Sequence, residues 1–324
     1  MSKIRKLQCL SLLIVLASIS AGLLPTTSRA QQLTGLKVGY IPIVSCLPLY
    51  AAVENGYFEQ EGLKVEMSPM AGGQVIIPAM VGGSLDIGFS AYFAAFSARD
   101  AGMDITIIAA IVREVGAGQP YVGVLVREDS GINKAKDLEG KTFATGTIKS
   151  VDWLTTAEWM SLNGADHKKV GWVEIPFPAM GGALRTKRVD AITGVDPFLT
   201  AELEAGGVKV IGHPFFEVAP NLPIAGFVTT DTWLKKNRSL AERFLRGINK
   251  GTDYVNARPE KRGEILVKYT RMKPELAAKL KFYPGFDRFI DASALQKTVD
   301  LAVKFGLASK RLDVKDMVAP GVLK

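Results

Sequence analysis

Hydrophobic and polar positions alternate between two periods along the first half of the chain. Leu36–Ile41 is a β-branched run suited to a strand. Pro48 opens a helix that runs through Leu49–Glu54, because a first-turn proline lacks only an N–H that has no helical partner there. Asn55-Gly56 supplies a left-handed stop. Leu63–Met67 reads as a second strand, and Gln74–Val81 as a helix closed by Gly82-Gly83. Asp86–Phe89 is a short strand, Tyr92–Asp100 a helix ending at Gly102, Ile105–Val112 a buried strand, and Tyr121–Val126 another. Strands separated in this way by helices predict a mostly parallel sheet covered on both faces.

A second cycle starts near Asp137. It predicts strands at Lys141–Thr145, Val170–Ile175, Ala191–Gly194, Val208–Ile211 and Ile224–Thr229. Helices are expected at Val151–Asn163, Ala183–Arg188 and Pro197–Ala205. From Thr232 the pattern is helical to the end, with breaks at Pro259, Pro274, Pro284-Gly285 and Gly306. The two cycles echo each other. Ala79-Met80-x4-Leu85-Asp86-Ile87 matches Ala183-Leu184-x4-Val189-Asp190-Ala191, which predicts two lobes built alike.

Composition sets outer bounds. At 324 residues, 48% hydrophobic and 22% charged, the chain is too apolar for disorder and long enough for about two domains. Residues 1–30 change the reading of its charge and cysteines. Lys3, Arg5 and Lys6 precede an apolar run to Leu24, and Ser28-Arg29-Ala30 offers small residues before Gln31. That is the pattern of a cleavable secretory signal peptide, with cleavage expected after Ala30 and export to the periplasm. Of the 324 residues, 294 would remain, and the formal charge would fall from +8 to +4 because the leader holds four cations and no acid. Cys9 would leave with it, so Cys46 would have no intramolecular partner. Such a weak charge gives no reason to expect nucleic acid as a partner.

Chemistry-bearing motifs are few. Gly140-Lys141-Thr142 resembles the end of a phosphate loop, but Ala135 stands where its first glycine belongs and a strand follows. Cys46, His167 and His213 are scattered, so no metal and no cofactor are expected. Cys46 reads as a nucleophile or as a small loop residue, and no histidine adjoins it in sequence.

Ligands of open parallel sheets sit beyond the carboxyl ends of the strands. Those ends carry Ser45 and Cys46 after the first strand, Ser90, Ala91 and Tyr92 after the third, and Arg113 after the strand at Ile105–Val112. Thr147, Ser150 and Asp196 hold the equivalent places in the second cycle. Ser90, Thr147 and Ser150 suit helix capping, with or without a ligand contact. Arg113 suits either an anionic ligand or a salt bridge. Asp196 suits either a ligand N–H or the cap of the helix at Pro197. Tyr92, Trp153 and Phe198 suit aromatic walls or core.

Ala52-x3-Gly56-Tyr57-Phe58-x3-Gly62-Leu63-x-Val65 resembles the opening signature of periplasmic substrate-binding proteins of ABC importers, nitrate/sulfonate/taurine type. These are related to thiamine-pyrimidine binding proteins. Gly72-Gly73, Ala79 and Gly83-x2-Asp86 extend the likeness. So do Asp137-Leu138-x-Gly140-Lys141, Val195-Asp196-Pro197-Phe198 and Trp233-Leu234-Lys235-Lys236-Asn237. The resemblance implies an α/β, two-lobed periplasmic-binding-protein fold (type II), each lobe a mostly parallel sheet flanked by helices. Two crossover strands would fall near Gly123–Arg127 and Ile224–Thr229. Lobe 1 would hold 36–124 plus 226–324, and lobe 2 125–225. It further implies a monomer that binds a small-molecule ligand and delivers it to an ABC permease with ATPase subunits. Lys187 departs from the family pattern, which often has glycine there, so a different helix cap is expected.

Three functions follow as expectations. The first is capture of a small organic solute, a sulfonate or nitrate-like anion or a pyrimidine-like compound, by hinge closure. The second is an exported enzyme on the same fold, although relatives that make the thiamine pyrimidine use a histidine and a Cys-rich motif and only Cys46 is present after the leader. The third is a ligand-sensing partner of a receptor.

Overall fold

The structure is a computed structural model that describes residues 32–115, 121–218, 220–281, 283–306, 308–309 and 312–324. The expected leader and its cleavage point lie outside the described residues. The first cycle gives β1 (Thr34–Tyr40), α1 (Leu47–Glu54), β2 (Leu63–Pro69), α2 (Gly73–Val81), β3 (Ile87–Ala91), α3 (Tyr92–Asp100), β4 (Ile105–Arg113) and β5 (Val122–Arg127). The second gives β6 (Thr142–Thr145), α4 (Val151–Leu162), β7 (Gly171–Glu174), α5 (Phe177–Arg185), β8 (Ala191–Val195), α6 (Phe198–Ala205), β9 (Val208–Gly212) and β10 (Pro223–Thr230). The remainder is mainly helical, with α7 (Arg238–Ala257), α8 (Arg262–Thr270) and α9 (Ala292–Lys304). The strand β11 (Gly285–Phe286) interrupts it where only a helix break was expected.

The strands form a six-stranded sheet ordered β11-β4-β10-β3-β1-β2 and a five-stranded sheet ordered β7-β6-β8-β5-β9. The part of the chain around each is called a lobe below. Within both, the strands of each βα cycle point the same way. The exceptions are β11, which lies antiparallel to β4 at the sheet edge, and the strands entering from the other lobe. β5 lies antiparallel between β8 and β9, and β10 lies antiparallel between β3 and β4. The sheets are therefore α/β and two-lobed as expected, with mixed ladders: each crossover strand is inserted reversed into the sheet it joins.

Side chains alternate across these central strands, as a pleated backbone requires. In β5, Val124 and Val126 pack with Phe143, Trp159 and Met160 on one face. Leu125 packs on the other face with Ala144, Leu184 and Ile192. Both faces are apolar because helices cover both.

The repeated sequence unit has a repeated job. Asp86 Oδ2 accepts from the Lys37 N–H at 2.8 Å, and the Asp86 N–H donates to Lys37 O. Asp190 does the same to Thr142, with its Oδ2 2.9 Å from the amide nitrogen. Each aspartate thereby fastens the start of its own strand to the parallel neighbour, at the middle of β1 in one case and the first residue of β6 in the other. Three residues before each, Gly83 and Lys187 both take the left-handed conformation, at φ 76° and 61°. The different cap expected at Lys187 does not form. The lysine adopts the glycine geometry, because the turn from α5 into β8 needs it.

The helix expected at Ala183–Arg188 begins earlier, at Phe177. Gly181-Gly182 looks like a breaker in sequence. In the structure a Cβ on Gly181 would lie 1.9 Å from Glu202 Oε1 of α6, so the bare backbone leaves room for that carboxylate between the two helices.

Candidate functional site

A cavity of about 320 Å³ lies between the lobes, where helices α1, α2, α3 and α4 begin. That is at the small end of the range for organic ligands. Lobe 1 contributes Ile43 and Ser45 before α1, Gly72–Gln74 at the start of α2, and Ala91 before α3. Lobe 2 contributes Gly146, Thr147 and Lys149–Asp152 at the start of α4, together with Phe177. Tyr121, Val195, Phe215 and Ile224 form the wall near the crossovers, and Phe89 adds a further ring.

Most of this lining is apolar, so the polar groups decide what fits. Among the described residues Asp152 is the one carboxylate of the lining, and it is already satisfied. Its Oδ2 accepts from Thr145 Oγ1 at 2.5 Å and from the Gly146 N–H at 2.9 Å, and its Oδ1 accepts from Ser150 Oγ. These bonds fix the loop before α4. Donors, by contrast, are left over. Among the described residues no hydrogen bond is seen for the hydroxyls of Ser45 and Thr147, and Lys149 has no ion-pair partner. Lys149 is exposed and held at φ 66°. Tyr121 is 1% exposed, and its buried hydroxyl has no partner among the described residues. Desolvation, with the nearby Glu114 charge, raises the Tyr121 pKa well above the usual value, so that hydroxyl stays protonated as a donor. Surplus donors from both lobes and no surplus acceptor carboxylate describe a site for an acceptor-rich or anionic group on an apolar body.

Four of the sequence candidates line this cavity: Ser45, Ala91, Thr147 and Ser150. Ser150 stands at the N-cap position of α4, but its hydroxyl turns to Asp152 and makes no capping bond. Five candidates do not line it. Cys46 is fully buried behind Ser45, and burial raises its thiol pKa far above the usual value, which holds it as a neutral thiol. Ser90 Oγ donates to Ala91 O at 3.1 Å, beneath the surface. Tyr92 is 1% exposed and turned to the other side of α3, toward a second cavity that Arg113 also lines. Arg113 is committed there to Asp287, at 2.6 Å, and to Asn221 Oδ1, at 2.8 Å. Asp196 stands one residue before the N-cap Pro197 of α6 and is committed to that helix: its Oδ1 accepts from the N–H and the hydroxyl of Thr200, at 2.9 and 2.7 Å.

Residues that sequence reasoning passed over include Gln74, Tyr121, Lys149, Phe177 and Phe215. Tyr121 was read only as the start of a strand. Lys149 carried no signal, since a lysine in a loop is ordinary until its left-handed backbone is seen.

Away from the residues that line the cavity, the two lobes also touch directly. Lys304 Nζ, at the end of α9, lies 2.6 and 2.7 Å from the two oxygens of Glu158 in α4, whose carboxylate is almost wholly buried. Phe305 meets Trp153 and His167 edge-on, at centroid distances of 6.2 and 5.3 Å. Lys279 pairs with Glu204 of α6.

Known proteins resemble this chain along most of its length. A protein of Brachyspira hyodysenteriae named as an ABC transporter periplasmic binding protein is 25% identical over 263 residues, covering 76% of this chain and 72% of the relative. The 4-amino-5-hydroxymethyl-2-methylpyrimidine phosphate synthase THI13 of Saccharomyces cerevisiae is 26% identical over 253 residues, covering 73% and 70%. The crystal structure of the periplasmic aliphatic sulphonate binding protein SsuA from Escherichia coli shares the fold, with a TM-score of 0.72 at 19% identity, over 89% of this chain and 98% of that one. A sequence model described as NMT1/THI5 like matches residues 44–262, so the chain belongs to the NMT1/THI5-like family.

Proposed function

We propose that the protein is the periplasmic solute-binding component of an ABC importer, and that it captures a small organic solute between its lobes. The observation that carries this reading is the cavity itself: donors without partners reach it from both lobes, while its one carboxylate is already saturated. The solute it suits is compact and largely apolar, with an anionic or acceptor-rich group such as a sulfonate. The rings of Phe89, Tyr121, Phe177 and Phe215 also suit a flat pyrimidine-like body.

The mechanism follows from the topology. With lobe 1 taken as 36–124 plus 226–324 and lobe 2 as 125–225, the chain changes lobe at β5 and β10, and the hinge of this reading lies where it enters these two strands. A ligand held by both lobes binds the closed form better than the open one, and that difference sets how far closure proceeds. The Glu158–Lys304 pair and the Phe305 contacts would form as the lobes meet. A permease with ATPase subunits would then recognise the closed form, with the binding protein acting as a monomer. Export to the periplasm rests on the basic–apolar–small pattern of residues 1–30 and on the name of the Brachyspira relative.

The yeast relative's name points to an enzyme, but the sealed Cys46 thiol does not suit a nucleophile. A melting experiment separates the readings. The purified protein is heated with panels of small sulfonates, carboxylates, nitrate and aminopyrimidines. A bound solute at 100 times its Kd stabilises by about 2.7 kcal/mol and is recovered unchanged. No shift with any class, or chemical turnover of the solute, overturns the proposal.

A further inference from the structure

Helix α4 faces the cavity with one end and the other lobe with its middle. Its first turn and the loop before it line the cavity through Thr147, Ser150, Val151 and Asp152. About 9 Å further along the same helix, Glu158 meets lobe 1. Its side chain is 9% exposed, and both carboxylate oxygens accept from Lys304 Nζ, at 2.6 and 2.7 Å. Among the described residues no other hydrogen bond reaches that carboxylate. The partner that makes the burial of this charge tolerable is therefore supplied by lobe 1. Lys304 closes α9, and Phe305 follows it directly, edge-on to Trp153 of α4 and to His167. Trp153 is buried, and Trp172 of the same lobe holds it at a centroid distance of 5.8 Å. Lobe 2 thus offers a socket of one carboxylate and three rings, and two consecutive side chains of lobe 1 fill it. None of these residues lines the cavity.

Resting on the lobe division and hinge closure of the reading above, we propose that Lys304 and Phe305 are positioning residues that hold the lobes together before any solute arrives. They act on the site through α4: seating them in the socket draws the 146–152 loop toward lobe 1. Closure stabilised away from the cavity is common to every solute. It raises affinity in proportion to the fraction already closed and adds no selectivity, because the apparent Kd is the intrinsic one divided by that fraction. The lysine is half in water, so the ion pair contributes about fivefold to the closing equilibrium, and the edge-on ring contacts contribute a similar factor. The other ion pair between the lobes, Lys279–Glu204, is exposed on both sides, at 53% and 43%, and contributes little.

Small-angle X-ray scattering tests this on the purified protein, stripped of carried solute by unfolding and refolding and measured with none added. The native protein should scatter as the closed form. Lys304→Met and Phe305→Ser should each give a larger radius of gyration, and the double variant a larger one still. Lys304→Arg, which keeps the charge, should restore the native radius, and Lys279→Met should leave it unchanged. Glu158→Gln combined with Lys304→Met should open the protein no further than Lys304→Met alone, since both remove one pair. Glu158→Gln by itself serves if the lysine variant does not fold. An open native profile, or native radii in all the socket variants, overturns the proposal. So does an equal opening by Lys279→Met, which would mean that any charge lost between the lobes suffices. The readout needs no solute, so it is independent of the melting panel. Opening of the variants with a flat panel would support the closure device and overturn solute capture, and the reverse pattern would do the opposite.

Discussion

Asp196 ends β8 with its carboxyl almost wholly inside the protein, 1% exposed. Desolvation pushes its pKa up to about 6, against the opposing hydrogen bonds from Thr200. The sign of the consequence is fixed by linkage. The unfolded chain releases this proton near pH 4 and the folded chain only near pH 6, so the group's contribution to stability is full below the lower value and lost as pH rises through the upper one. The loss is on the order of 2–3 kcal/mol. Asp196→Asn keeps an oxygen for Thr200 and removes the titration. Urea melts at pH 4 and pH 7 should show the native protein losing stability relative to the variant across that interval, and parallel pH profiles would refute the assignment. Tyr121 gives a second test at this scale. Its hydroxyl is buried without a partner among the described residues, so Tyr121→Phe should leave the ligand-free melting temperature unchanged or higher, while lowering affinity for the solute about fivefold. Isothermal titration and melts of the same preparation separate the two effects. A lowered ligand-free stability would mean that the hydroxyl is bonded in solution.

The turn from α5 into β8 shows what an element asks of its residues. Lys187 occupies the left-handed region at φ 61°, where its counterpart is Gly83. For a residue with a Cβ this costs roughly 1–2 kcal/mol, offset in part by the extra chain entropy that glycine loses on folding. The Lys187–Asp129 ion pair is exposed on both sides and adds little. Lys187→Gly should therefore raise stability by about 0.5 kcal/mol, and Lys187→Ala, which keeps the strain, should not. Chemical denaturation of both variants reads the difference, and an equal effect of the two would contradict it. The sequence pattern was most legible at this scale. Tyr92–Asp100 and Val151 onward appeared as read, because apolar spacing and a following glycine are local signals. Gly181-Gly182 lie inside α5, and the room left at Gly181 is filled by the Glu202 carboxylate of another helix, which no local signal announces. Likewise β11 pairs with β4 across more than 170 residues, and nothing near Gly285 announces it.

At the scale of the whole molecule, both crossover strands were visible as apolar runs, but their reversal was not. A strand's direction in a sheet depends on where the chain has come from, and β5 and β10 each arrive from the opposite lobe. The site was half legible for the same reason. Strand ends that open helices could be found from sequence, and they supplied Ser45, Ala91, Thr147 and Ser150. Arg113 was misplaced because its partner Asp287 is brought beside it only by the β11–β4 pairing. The central claim is that one solute is gripped by both lobes at once. Hydrogen–deuterium exchange, with and without the probe giving the largest melting shift, tests it most directly. Amides at 43–47 and 72–76 in lobe 1 and at 146–152 in lobe 2 should be protected simultaneously. Protection confined to one lobe, or absent from both while the probe is bound, would contradict it.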